Sequence, residues 1–114
     1  MFDFIGSVKQ GAGAFAQVSK NIRYTITYDA DGNGKISNVT IGGKAIDPKR
    51  TYRIATNDYM AGGGDGYVVF KNSVDTYNTS MLMSTVVIEY AATLKGAVTP
   101  ATDGRITIVG GVTN

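Results

Sequence analysis

A chain of 114 residues that is 43% hydrophobic has room for one domain and one core, since most domains run to ~100–150 residues. Its formal charge is only +2 and its basic residues are scattered, with Lys44, Lys49, Arg50 and Arg53 the nearest thing to a cluster; this is not the basic stripe of a nucleic-acid binder. Cysteine and histidine are both absent, which removes disulfides, thiolate metal sites, serine–histidine triads and histidine-built metal centres.

In chain order, the opening Met1-Phe-Asp-Phe-Ile-Gly6 has neither the basic flank nor the long apolar run of a signal peptide, and reads as a start set inside a longer chain. No apolar run reaches the ~18–20 residues of a membrane span. Phe2, Ile5 and Val8 fall at near-helical spacing, a helix end that Gly11 and Gly13 terminate. Ile22, Tyr24, Ile26 and Tyr28 alternate with Arg23, Thr25 and Thr27, which predicts a strand with one buried face. Asp29 to Lys35 favours positive φ and Ser37 to Ile41 is again β-branched, so the two runs form a β-hairpin. Gly42-Gly43 makes a second turn, followed by an irregular link through Pro48. Thr51 to Thr56 alternates once more and predicts a core strand with Tyr52 and Ile54 inward.

Glycines from Gly62 to Gly66 then break the chain, and Tyr67 to Phe70 is a short apolar piece of undecided state. Asn78 or Thr79 caps a predicted helix in which Leu82, Val86, Tyr90 and Leu94 recur every four residues, with Gly96 at its C-terminal cap. Gly104 to Val109 closes the chain as a strand with Ile106 and Ile108 on one face. The expected class is α+β: a mixed β-sheet with a hairpin and one long helix in the C-terminal half.

Three stretches could carry chemistry. Asp29, Asp31, Asn33 and Gly34 match the first half of a calcium loop, which gives an alternative reading as a non-enzymatic extracellular binding or structural module. The twelfth position of that loop is Thr40, which has no carboxylate, and a plain hairpin turn selects the same residues for φ alone. The second stretch, Asn57 to Tyr67, leaves a predicted strand and fits neither a dinucleotide fingerprint nor a phosphate loop. It is either a tight strand exit or a ligand loop. In the latter, Gly63 and Gly64 bring backbone close to a flat ligand, Tyr59 offers a ring and Asp65 accepts hydrogen bonds. In the third stretch, Phe15 stands alone among small residues between Gly11 and Ser19. Asn38 and Asn78 head glycosylation sequons that matter only in a eukaryotic secretory host.

These segments resemble the C-terminal domain of the 5′-nucleotidase family, which includes UDP-sugar hydrolases and 2′,3′-cyclic-nucleotide phosphodiesterases. The resemblance is carried collinearly by Gly13-Ala-Phe-Ala-Gln-Val-Ser19, Arg23-Tyr24, Tyr28-Asp29, Val39-Thr-Ile-Gly-Gly-Lys44, Ile46-Asp-Pro48, Thr51-Tyr-Arg53, Ala55-Thr-Asn-Asp-Tyr59, Gly63-Gly-Asp-Gly-Tyr67 and Asp103-Gly-Arg-Ile106. It implies that residues 1–114 are part of a substrate-specificity domain, that Phe15 and Tyr59 are the two rings that hold the substrate's base, and that Asp65 closes the glycine loop beside them.

It also implies a nucleotide or nucleoside ligand and a separate N-terminal metallophosphoesterase domain holding the divalent metals, with no cofactor in this chain. The implied setting is a periplasmic or extracellular hydrolase that carries bound nucleotide to the metals by rotating this domain. Two features depart from the family: its domain begins upstream, with arginines that help to hold substrate, and Lys20 stands where members usually have glycine.

Overall fold

In the computed structural model, which describes residues 9–112, the alternating run forms β1, Ile22–Tyr28. Its inward residues Tyr24, Ile26 and Tyr28 are all buried and Ile26 is completely so. This is the period-2 pattern acting as expected, with Arg23 and Thr27 left on the exposed side. A five-residue connection leads to β2, Gly34–Ile41, antiparallel to β1. Asp29 organises that connection, because Oδ1 accepts from the backbone N–H of Asp31 (3.0 Å) and of Asn33 (2.8 Å) while Oδ2 accepts from Asn33 Nδ2 (3.2 Å).

The ladder is not uniform. Arg23 pairs with Thr40 but Thr25 pairs with Ser37, so β2 carries one extra residue there. Asn38 takes the strain at φ 52°, a left-handed position that asparagine tolerates better than most residues. Gly42 and Gly43, at φ 58° and 78°, then turn the chain into the two-residue β3, Lys44–Ala45, a strand absent from the sequence reading. The chain ends with β4, Ile106–Gly110, parallel to β1 with Tyr24 opposite Ile106 and Ile26 opposite Ile108. The sheet order is β3-β2-β1-β4. A mixed sheet with few helices fits the expected α+β class.

One face of this sheet is covered. Ala16 and Tyr67 join the three β1 residues as the buried core, with Phe15, Val18, Ile36, Val39, Met60, Phe70 and Ile106 packed around them. The covering layer therefore consists of the loop around Phe15 and the segment from Met60 to Phe70. That segment holds a one-turn helix α1, Asp58–Ala61, and two 3₁₀ turns, Gly64–Gly66 and Val68–Asn72. The Tyr67 and Phe70 rings stack at 5.7 Å and 18°.

Two expectations change. Thr51 to Thr56 joins no strand, and Ile54 is 45% exposed. Alternation prepares a segment for a sheet, but a strand also needs a partner ladder, and among the described residues none faces it. The C-terminal-half helix is α2, Met83–Thr93, only 11 residues long. It starts after Leu82, without a side-chain cap, because Asn78 and Thr79 instead accept from the N–H groups of Ser80 and Met81 in a local turn. No residue of α2 is buried. The expected strand at Ile106 and Ile108 is β4, and there Ile108 is 58% exposed although its register partner Ile26 is at the centre of the core. The predicted helix end at Phe2, Ile5 and Val8 lies outside the described residues.

Candidate functional site

The two covering segments meet around a concavity of about 210 Å³ lined by Gly13, Ala14, Phe15, Gln17, Met60, Asp65 and Tyr67. This is below the ~300–1,000 Å³ of pockets that enclose drug-sized ligands, so it can receive one part of such a ligand. Residues about 45 positions apart in sequence thus face one hollow. Phe15 is half-buried against the core, and Gln17, two residues on, reaches the same hollow.

Local backbone chemistry sets the second wall. Asn57 caps α1 by accepting from Met60 N–H at 2.8 Å, which places Tyr59 and Met60 on the single turn. Gly63 follows at φ 88°, a conformation that costs other residues steric strain. A β-carbon on Gly63 would meet the flexible Lys71 chain, whereas one on Gly64 would collide with the Tyr59 ring. Gly64 is therefore the seat on which that ring lies. Asp65 is held in the left-handed region, φ 52° and ψ 29°, and its Oδ1 accepts from the Tyr59 hydroxyl at 3.2 Å. A non-glycine residue held in that region beside a concavity is the kind of local strain that clusters at ligand sites.

Of the residues singled out from sequence, Phe15 and Asp65 line the concavity, and Gly63 and Gly64 shape the turn behind it. Tyr59 does not line it. It stands next to it, 62% exposed, tied in through Asp65. Gln17, Met60 and Tyr67 are lining residues that the sequence reading placed inside its candidate stretches without choosing them as site residues. Signals pointed to two of them: Gln17 shares the Phe15 face of an extended segment at spacing two, and Tyr67 ends the glycine-rich stretch.

The phenol hydroxyls of the core beside this hollow are satisfied from within the protein. The Tyr24 hydroxyl donates to Ala16 O at 2.7 Å and the Tyr67 hydroxyl to Ala14 O at 3.2 Å. Burial, with smaller contributions from the neighbouring Tyr67 and Tyr28 hydroxyls, pushes Tyr24 up to about 12. Burial first and then the Asp65 charge also raise Tyr67. Both phenols accordingly stay protonated donors through the neutral range. At the hairpin, hydrogen bonds from Asn33 hold the Asp29 carboxyl below its usual range. Among the described residues no group of three or more Asp, Glu, His or Cys could hold a metal ion, and no helix is long and apolar enough to cross a membrane.

The family described as 5′-nucleotidase, C-terminal domain, matches residues 5–72, a stretch containing both walls of the concavity. The chain is similar to protein UshA of Yersinia enterocolitica, at 37% identity over 75% of this chain and 14% of the relative. It is similar to the trifunctional nucleotide phosphoesterase protein YfkN of Bacillus subtilis, at 35% over 90% of this chain and 7% of the relative. It is also similar to a 5′-nucleotidase of Vibrio vulnificus, at 38% over 69% of this chain and 13% of the relative. The chain thus spans at most 14% of the length of these relatives. No solved structure matches.

Proposed function

This chain belongs to the 5′-nucleotidase family as part of its C-terminal domain, and from that membership we propose that it is the nucleotide- or nucleoside-gripping piece of a metal-dependent phosphoesterase. The base stacks on Phe15 inside the concavity, and the exposed Tyr59 ring closes on it from the rim. Asp65 accepts hydrogen bonds from the ligand's hydroxyl or amino groups, and Gly63 and Gly64 keep the backbone beside it free of side chains. Water attack at phosphorus belongs to metals in a separate metallophosphoesterase domain of the parent protein, which works in the periplasm or outside the cell.

The observation that supports this reading is the meeting of the Gly13–Gln17 loop with the Met60–Tyr67 segment around one hollow, both within the matched stretch. Stacking contributes ~1–3 kcal/mol per base and a millimolar complex needs ~4 kcal/mol. Stacking alone falls short of that, and only with a hydrogen bond to the Asp65 carboxylate, ~1.5–3 kcal/mol, should the chain bind adenosine or AMP in the millimolar range, without turnover. In an NMR titration, the resonances of Phe15, Tyr59 and Asp65 are expected to move together along one saturation curve. Saturating adenosine and AMP that left all three unmoved in a folded sample would dismiss the assignment.

A further inference from the structure

Residues 15–19 join no strand, yet the carbonyls of the loop that carries Phe15 are met at alternate positions. Ala14 O accepts from the Tyr67 hydroxyl at 3.2 Å, Ala16 O from the Tyr24 hydroxyl at 2.7 Å, and Val18 O from Arg105 Nη1 at 2.9 Å. A spacing of two is the interval at which carbonyls of an extended chain face one side. Three side chains, from β1, from the glycine-rich stretch and from the entry to β4, stand where the N–H groups of a neighbouring strand would be. Phe15 and Gln17, the residues between, line the hollow.

Arg105 is the member best prepared for this role. Its Nε and Nη2 fork onto the Asp103 carboxylate at 2.8 and 2.6 Å, and Asp103 O in turn accepts from Arg23 Nη1 of β1 at 3.1 Å. Two of its arms fix the guanidinium to the sheet, and the third reaches across 87 positions of sequence to Val18. A lysine has one ammonium and no fork, so it cannot satisfy Asp103 and Val18 in the same fixed geometry.

We infer that Tyr67, Tyr24 and Arg105 are positioning residues, a side-chain ladder that holds the Ala14–Val18 loop in register and so presents Phe15 and Gln17 to the ligand, with Arg105 fixing the Ser19 end. The ladder itself stands on the hydrogen bonds above, and only its bearing on ligand rests on the nucleotide reading.

The test is backbone ¹⁵N relaxation on the 114-residue chain with an adenosine titration beside it. Wild type should show order parameters near the rigid value of ~0.85 across residues 14–18. In R105M they should fall below ~0.6 at residues 17–19 while residues 14 and 15 and all of β1 hold, and R105K should fail to restore them. In Y67F the loss should sit at residues 14 and 15 and spare 18 and 19. A merely structural role would not give this end-specific pattern. If R105M fails to fold, D103A leaves the guanidinium in place without its fork and should loosen residues 18 and 19 selectively.

A loop that stays rigid in R105M and Y67F, or loosens evenly in both, overturns the ladder, and so does a D103A chain with residues 18 and 19 unchanged. Adenosine should bind R105M about 10-fold more weakly, the loss expected for one charge-assisted hydrogen bond. Should wild type give no adenosine shift, the nucleotide reading fails while the relaxation data still decide the ladder.

Discussion

A β-carbon at Gly64 cannot coexist with the Tyr59 ring in its present place, and this separates the site from the stability of the chain. The ring is 62% exposed and is the far end of a side chain, so in G64A it can swing away and lose little more than its hydrogen bond to Asp65. The expected result is a change in the Tyr59 ring resonances and weaker adenosine binding, with stability altered by less than ~1 kcal/mol, as for surface changes away from special features. Gly110 is the contrasting case. It sits at φ 70° and a β-carbon there would lie 2.6 Å from Tyr28 O, a backbone atom of β1 that cannot step aside. G110A should therefore lower stability by ~1 kcal/mol or more and leave the Tyr59 resonances in place. Denaturant melts of both variants, read beside their NMR spectra, check the pair. Equal losses of stability in the two would show that the turn at Gly64 belongs to the core.

Among the elements, what the sequence made legible is what local pattern alone decides. β1 could be read because its alternation is complete and its apolar residues all find cover, and the hairpin because Asp29 and Gly32 carry their own turn chemistry. The Phe15 loop and the glycine-rich stretch were identified as candidate ligand segments from their own residues, but only the family resemblance brought them together, since a contact across about 45 residues leaves no local trace. Tyr59 was expected opposite Phe15 and instead stands at the rim, because its ring is drawn over Gly64 and its hydroxyl to Asp65.

The element that ties the Phe15 loop to the sheet, Asp103 with Arg105, also makes a pH prediction. The Arg105 side chain, hydrogen-bonded to the carboxylate, holds Asp103 down to about 2 against an ordinary 3.8. A carboxylate depressed on folding lends stability that is present above its unfolded value and disappears as the pH falls through its folded one. The stability lent by the Asp103–Arg105 pair should thus be complete above about pH 4 and shrink as the pH falls from about 4 to 2, with the pair itself opening only around pH 2. A carboxyl-carbon NMR titration should find Asp103 titrating at about 2, with residues 18 and 19 losing order in step. A midpoint near 4 would mean that the pair is not formed in solution.

At the scale of the molecule, the chain exposes 9002 Å², where a folded monomer of 12.0 kDa exposes about 6,000 Å². Its radius of gyration is 15.7 Å against about 13 Å for a compact chain of this length. The excess has a clear source: every residue from 71 to 104 is exposed, including the α2 residues Val86, Val87, Ile88 and Tyr90. The four-residue recurrence of apolar side chains made α2 legible as a helix, but periodicity cannot tell whether a surface is present to receive the apolar face. An uncapped 11-residue helix rich in β-branched residues is below the ~12–15 residues at which isolated helices become stable in water, and in proteins most helical stability comes from packing.

The sheet with its covering layer and α2 should consequently not melt as one. Tyrosine near-UV circular dichroism, reporting Tyr24 and Tyr67 in the core, should give a cooperative transition. Far-UV ellipticity at 222 nm should instead contain a gradual helical component that is lost well below that transition, with α2 amides exchanging near unfolded rates while β1 amides stay protected. Coincidence of the two probes would mean that α2 is packed in solution. In that case the exposed Ile108 of β4, in register with the buried Ile26, offers one apolar surface to receive it, and I108K should uncouple the two transitions.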